Sequence, residues 1–214
     1  MTDTDKLRED LLQASLGHVA FDGWSRTALR AAARDLKVDS ALAQNAFPGG
    51  EAELIEAFST WADGRMLDAL EKQSLAAMKV REKIAAGVRL RLELLEPHRE
   101  AVRRGLAFFA LPQNGPLALK CLYRTVDAIW YAAGDRATDY NFYTKRLLLA
   151  GVYSSTLLVW LNDGSEGRVE TWAFLDRRIA EVLKVAGRLG KAVTGALDLP
   201  DRMARRFAPR PARR

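Results

Sequence analysis

The chain is poor in the residues that most site chemistry needs. Its 214 residues include one cysteine, Cys121, and two histidines, His18 and His98. A single cysteine excludes an intramolecular disulfide, and two distant histidines leave few ligands for zinc or haem. No cluster of His, Cys and carboxylates falls at metal-ligand spacing. No Glu-x-x-His serves a di-iron bundle, and no glycine-rich phosphate loop opens a helix after a strand. Cys121, in Leu119-Lys120-Cys121-Leu122, reads as buried packing and not as a nucleophile. No catalytic residue, metal ligand or cofactor is therefore expected. Long apolar runs are also missing. The longest weakly polar stretch, residues 147–161, still contains Ser154, Ser155 and Thr156, and a bilayer-spanning helix needs about 20 apolar residues. The first residues, Met1-Thr2-Asp3-Thr4-Asp5, show neither a basic region nor an apolar one. No secretory signal is read there, and a cytoplasmic location is the expectation.

What is present is a globular composition, 49% apolar and 28% charged, enough to bury a substantial core in one domain. The charge is unevenly placed. Residues 177–214 hold eleven Lys and Arg against three Asp and Glu, while the other 176 residues carry a net −2. A basic tail on a near-neutral body points to an anionic partner, either nucleic acid or a membrane surface.

The periodicity is helical throughout. Leu7, Leu11, Leu12, Leu16 and Val19 predict an amphipathic helix over 5–21, stopped by Asp22-Gly23. Ser25 predicts a cap for a second helix over 26–36. A third begins near Asp39 or Ser40 and ends at Phe47-Pro48-Gly49-Gly50. Further helices are predicted over 51–74, 79–94, 97–110, 116–133, 140–162 and 167–198, separated by proline- and glycine-marked breaks. No strand pattern and no internal repeat appears, so the fold class is all-α.

Residues 25–47 resemble the helix-turn-helix of TetR-type regulators, with Val38 and Phe47 at the family's spacing. The departures fall on the DNA contacts. Lys37 stands where the family has a turn glycine, Gln44 replaces the phosphate-contacting tyrosine, and Gly49-Gly50 replace Ser and Lys. Residues 38–64 contain no Lys or Arg but do contain Asp39, Glu51, Glu53, Glu56 and Asp63. Affinity for a duplex comes largely from phosphate neutralisation, so no specific DNA binding is expected.

A longer pattern follows. It runs Val126-Asp127-Ala128-Ile129-Trp130, Gly134-Asp135, Thr138-Asp139, Asn141, Tyr143, Lys145-Arg146 and Gly151-Val152-Tyr153, and then 171–178 from Thr171-Trp172 to Arg177-Arg178. With Trp24-Ser25 and Phe47-Pro48 it closely resembles the COQ-nine family, accessory proteins of ubiquinone (coenzyme Q) biosynthesis. The resemblance covers residues 6–185. It implies a TetR-like fold without DNA binding, a lipid pocket, a homodimer and an amphipathic C-terminal helix that meets membranes. It also implies presentation of a polyprenyl quinone intermediate to the late-step di-iron quinone hydroxylase. That role is an accessory one and not an enzyme's. The implied location is cytoplasmic, peripherally associated with the inner membrane. The alternative is a TetR-type transcriptional regulator with an apolar effector.

The regions are then 1–60, a degenerate helix-turn-helix; 61–178, lipid binding and dimerisation; 179–208, a membrane-associating helix; and 209–214, a basic tail. Candidate lipid-site residues are Leu106, Phe109, Leu122, Val126, Ile129, Leu147, Val152 and Leu157; the sequence does not separate a pocket from a packed core. Tyr143, Tyr153 and Trp160 read as core aromatics, and Asp127 as a partner for Lys145 or Arg146. Trp172, Asp176 and Arg177 form the candidate hydroxylase-docking patch, as the resemblance implies, because tryptophan is enriched among interface hot spots. Val182, Ala186, Leu189, Val193 and Leu197 form one apolar stripe, opposite Lys184, Arg188 and Lys191. This pairing suits an interfacial helix on an anionic membrane.

Overall fold

The computed structural model describes residues 3–73, 75–135 and 140–197, with no account of the side chains of 76, 140–142, 183 and 185–197. The described residues form nine α-helices: α1 (Asp3–Asp22), α2 (Arg26–Asp35), α3 (Ser40–Ala46), α4 (Glu51–Glu71), α5 (Val80–Leu94), α6 (Arg99–Phe109), α7 (Gly115–Ala132), α8 (Tyr140–Asn162) and α9 (Val169–Leu197). Short 3₁₀ turns occupy 75–77, 96–98, 112–114 and 166–168.

Local chemistry sets the helix ends. Ser25 Oγ accepts from the Ala28 N–H at 3.2 Å and starts α2, as its type predicts. Asp39 accepts from Ala41 and Leu42 and starts α3. The third helix therefore begins at Ser40, the second of the two starts the sequence allowed. After α2 the chain makes a Schellman turn: Val38 N donates to Ala33 O and Lys37 N to Arg34 O. The same motif closes α7, where Asp135 N donates to Trp130 O and Gly134 N to Tyr131 O. Gly134 takes the left-handed position there with φ +90°; after α2 that position falls to Lys37, with φ +55°.

Helices α1, α2 and α3 pack together, with the buried face of Ala28, Ala31, Ala32 and Ala33 letting α1 approach α2 closely. In the larger group α4 packs on α5 and α7, α7 on α8, and α8 on α9. Leu11, Leu29, Leu54, Met66, Leu92, Ile129 and Trp160 are fully buried in one continuous core. A methyl group on Gly87 would sit 3.0 Å from Ile129 Cγ2, so this glycine permits the close approach of α5 to α7.

Two expected placements on α8 change. Tyr143, expected in the core, is 68% exposed, and Leu147, expected in a lipid site, is 75% exposed. Both are exposed and lie one turn apart on α8. Tyr153 and Trp160 are buried as their type suggests, with Trp160 Nε1 donating to Glu96. Asp127 meets Arg146 at 2.7 Å, and Lys145 turns instead to Asp135 at 2.9 Å. Thr138, Asp139, residues 198–214 and the side chain of Asn141 lie outside the described residues.

Candidate functional site

A cavity of about 280 Å³ opens among α4, α5, α6, α7 and α8. Its walls are mostly apolar: Ile55, Phe58, Leu95, Val102, Leu106 and Phe109, then Leu122, Leu157 and Leu158, with Trp24 at the side. The Trp24 indole N–H donates to Ala101 O at 2.9 Å, fixing the ring against Phe58, 5.1 Å between centroids.

One end is polar and buried. Arg91, on α5, stands on the helix face that otherwise presents Ile84, Gly87, Val88 and Leu92 to the core. Its Nε donates to Asp63 Oδ1 at 2.8 Å, its Nη1 to the Tyr153 hydroxyl, and its Nη2 to Ser59 Oγ at 3.4 Å. Thr125 Oγ1 donates to the same Asp63 oxygen at 2.8 Å, and Arg124 reaches Oδ2 at 3.2 Å. Outside this cluster, Lys120 and Arg124 meet Glu56. Burial works against the Arg91 charge, but Tyr153 and Asp63 outweigh it and hold its pKa up. Burial pushes the Tyr153 phenol up, so it remains a protonated donor near neutral pH. Burial also pushes up the Cys121 thiol, which lines the same end.

Of the sequence-predicted lipid residues, Leu106, Phe109, Leu122 and Leu157 line this cavity. Val126, Ile129 and Val152 are buried in the core and do not line it, and Leu147 points to solvent. Ser59, Asp63, Arg91 and Thr125 are not among the candidates that the sequence offers for the site, yet they form its polar end. The signal was available: each is a polar side chain at an apolar phase of its helix.

The docking candidates sit elsewhere. Trp172 is half-buried, donates its indole N–H to Gly167 O at 2.9 Å, and carries the Arg89 guanidinium 4.9 Å above its ring. Asp176 and Arg177 are exposed on the same helix. Of the membrane stripe, Val182 is half-buried against the core and Lys184 is exposed. The side chains of Ala186, Leu189, Val193, Leu197, Arg188 and Lys191 lie outside those described. Among the described residues, no helix is long and apolar enough to cross a membrane, and no three His, Cys, Asp or Glu side chains gather as a metal site.

Comparison with known proteins bears on both the fold and the family. A family model described as COQ9 matches residues 115–186. The rat protein titled "Ubiquinone biosynthesis protein COQ9, mitochondrial" is 36% identical over 196 residues, covering 88% of this chain and 62% of the relative. The Xenopus laevis "Ubiquinone biosynthesis protein COQ9-A, mitochondrial" is 37% identical over 186 residues, covering 84% of this chain and 58% of the relative. The chain thus spans about three-fifths of the length of these curated relatives. Among solved structures, a TetR transcriptional regulator from Nitrosomonas europaea superimposes with a TM-score of 0.68 at 23% identity, covering 83% of this chain and 98% of that one. At that identity the likeness concerns the fold alone.

Proposed function

The chain is a homologue of the COQ9 ubiquinone-biosynthesis proteins, and from that premise we propose that it is a non-enzymatic accessory protein that binds a polyprenyl quinone intermediate. The observation that carries this reading is the cavity: a greasy wall of Leu106, Phe109, Leu122 and Leu157 running to the buried Arg91–Tyr153–Asp63 cluster. An apolar pocket with a few convergent polar groups is how a protein holds a small amphiphile in a fixed orientation. The deciding experiment is mass spectrometry of lipid extracted from the purified chain. Isoprenoid quinones or their precursors are expected; an extract holding only bulk membrane lipid in host proportions overturns the reading.

The finer parts of the proposal are presentation of the ligand to the di-iron quinone hydroxylase, a homodimer, and peripheral contact with an anionic membrane. Docking is assigned to the patch of Trp172, Asp176 and Arg177. Trp172→Lys would set a second cation beside Arg89, so Trp172→Ala is the better variant. It forgoes a cation–π contact of roughly 0.5–1 kcal/mol and is expected to keep the fold while losing hydroxylase co-purification. Retained co-purification removes Trp172 from the interface. The exposed Tyr143 and Leu147 of α8 supply apolar surface for the dimer, which light scattering of Leu147→Glu checks.

A further inference from the structure

We propose that the cavity takes its ligand head-first, with a neutral, hydrogen-bond-accepting ring seated against Tyr153 and the isoprenoid chain leaving past Leu158. The inference rests on the quinone-lipid reading above and adds to it an orientation and a reading residue.

Three observations lead there. The first is the cavity's asymmetry. Its deep end is walled by Ser59, Arg91, Thr125 and Tyr153, of which Arg91, Thr125 and Tyr153 are at most 5% exposed. Its other end is framed by the half-buried Leu106 and Phe109 and by Leu158, 55% exposed. A ligand chain therefore has an apolar exit, and a polar group has one buried destination.

The second is the hydrogen-bond inventory at the deep end. Arg91 is spent on Asp63, Tyr153 and Ser59, and Thr125 is spent on Asp63. Tyr153 accepts from Arg91, so its lone pair is used while its own proton has no acceptor among the described residues. A phenol is both acceptor and donor, and a buried donor left unmet is unfavourable. A carbonyl oxygen delivered from the cavity satisfies it; a methyl terminus arriving tail-first does not. The raised phenol pKa keeps this donor available near neutral pH.

The third is charge and size. Arg91 is neutralised by Asp63 at 2.8 Å, and Glu56 answers Lys120 and Arg124 beyond it. An anionic head, such as a phosphate, would meet a cation that is already paired and a carboxylate beside it. At ~30 Å³ per water-sized group, about 280 Å³ accommodates a substituted ring and the start of a chain. A full polyprenyl tail must leave through the mouth.

The test is calorimetric titration of the full chain, stripped of lipid, with three probes sharing one ten-carbon tail: geranyl-benzoquinone, geranylbenzene and geranyl phosphate. The quinone is expected to bind at least tenfold tighter than either other probe. Tyr153→Phe should bring the quinone down to the level of geranylbenzene and leave geranylbenzene unchanged. Should that variant fail to fold, the unaltered chain still decides, by its own discrimination and by photolabelling. A benzoquinone with a diazirine at the far end of its tail is expected to label the mouth, near Leu106, Phe109 or Leu158. Labels on Ser59, Arg91 or Thr125, equal affinity for quinone and geranylbenzene, or tighter binding of the phosphate each overturn the head-first orientation alone. Failure of both quinone and geranylbenzene to bind overturns the lipid reading with it.

Discussion

Lys37 occupies a backbone conformation that favours glycine. Its φ of +55° puts a β-carbon close to the neighbouring carbonyl, at a cost of roughly 1–2 kcal/mol for an L-residue. The Schellman bonds of Val38 and Lys37 to Ala33 and Arg34 hold it there. Lys37→Gly relieves that strain and gives back part of it as unfolded-chain entropy. A net gain of about 0.5–1 kcal/mol is expected, read as a higher urea midpoint with an unchanged slope. The sequence marked Lys37 as a departure from the TetR turn glycine; only the backbone showed that this lysine takes a left-handed conformation, one that favours glycine. Cys121 is the second single-residue case. It is buried, and burial raises its thiol pKa, so little thiolate is present near neutrality and access is poor. The native chain at pH 8 is expected to react with a maleimide at least tenfold more slowly than the urea-unfolded chain. Comparable rates would place this thiol at the surface.

At the scale of elements, the start of α9 depends on a residue six positions before it. Burial opposes ionisation of Asp163, but hydrogen bonds from Ser165 Oγ (2.6 Å), Thr171 Oγ1 (2.6 Å), Ser165 N (2.7 Å) and Thr171 N (2.9 Å) outweigh it. Its pKa is held well below the ordinary 3.8. A lowered carboxylate pKa contributes stability that is complete above the unfolded value and is lost only as pH falls through the native one. Asp163→Ala is expected to cost about 1–2 kcal/mol, as other N-terminal caps do. The deficit should be the same at pH 5 and pH 7 and shrink only below about pH 3.8; a deficit that shrinks between pH 7 and pH 5 contradicts the hydrogen-bonded carboxylate. The far end of α9 carries the membrane proposal. Thr171, Leu175 and Ile179 are buried and Val182 is half-buried, so the first member of the predicted stripe packs on the body. The proposed membrane contact of this stripe is therefore expected from the members after Val182. Leu189→Asp with Val193→Asp is expected to abolish most co-sedimentation with anionic liposomes, since each large aliphatic side chain contributes on the order of 1–2 kcal/mol. Sedimentation equal to the parent's would move the anchor elsewhere.

Across the whole molecule, Asp63 ties three helices together. Counted along the chain, it is one of five acids in a base-free stretch facing a hypothetical duplex. In the fold it is buried between Arg91 of α5 and Thr125 of α7, and Glu53 and Glu56 are paired with Arg8 and Lys120. The stretch still lacks cations of its own, but its acids are largely answered from other helices. Removing one member of a buried ion pair leaves the other uncompensated, at about 3–5 kcal/mol. Asp63→Leu alone is expected to destabilise by that much, and Asp63→Leu with Arg91→Met to regain most of it. Equal loss in the single and double variants would show that the cavity's polar end acts through packing and not through charge.

Among the described residues, helix number, order and nearly every boundary were readable because the 3.6-residue period, the Ser25 cap and the Asp22-Gly23, Pro48-Gly49-Gly50 and Gly134 stops are local signals. Four of the lipid candidates, Leu106, Phe109, Leu122 and Leu157, could be picked from spacing because apolar phase marks the inward face. Whether an inward leucine meets another side chain or an empty volume depends on how several helices meet. Spacing therefore could not separate Leu122, at the cavity, from Val126 and Ile129, one and two turns on in the closed core. Nor could it show that α8 leaves Leu147 in solvent, because the number of neighbours around a helix is set by packing and not by its own sequence. Asp63, Arg91, Thr125 and Tyr153 come from four helices and are up to 90 positions apart; only the tertiary structure brings them together, because side-chain charge and hydrogen bonding act over ångströms of space and not along the chain.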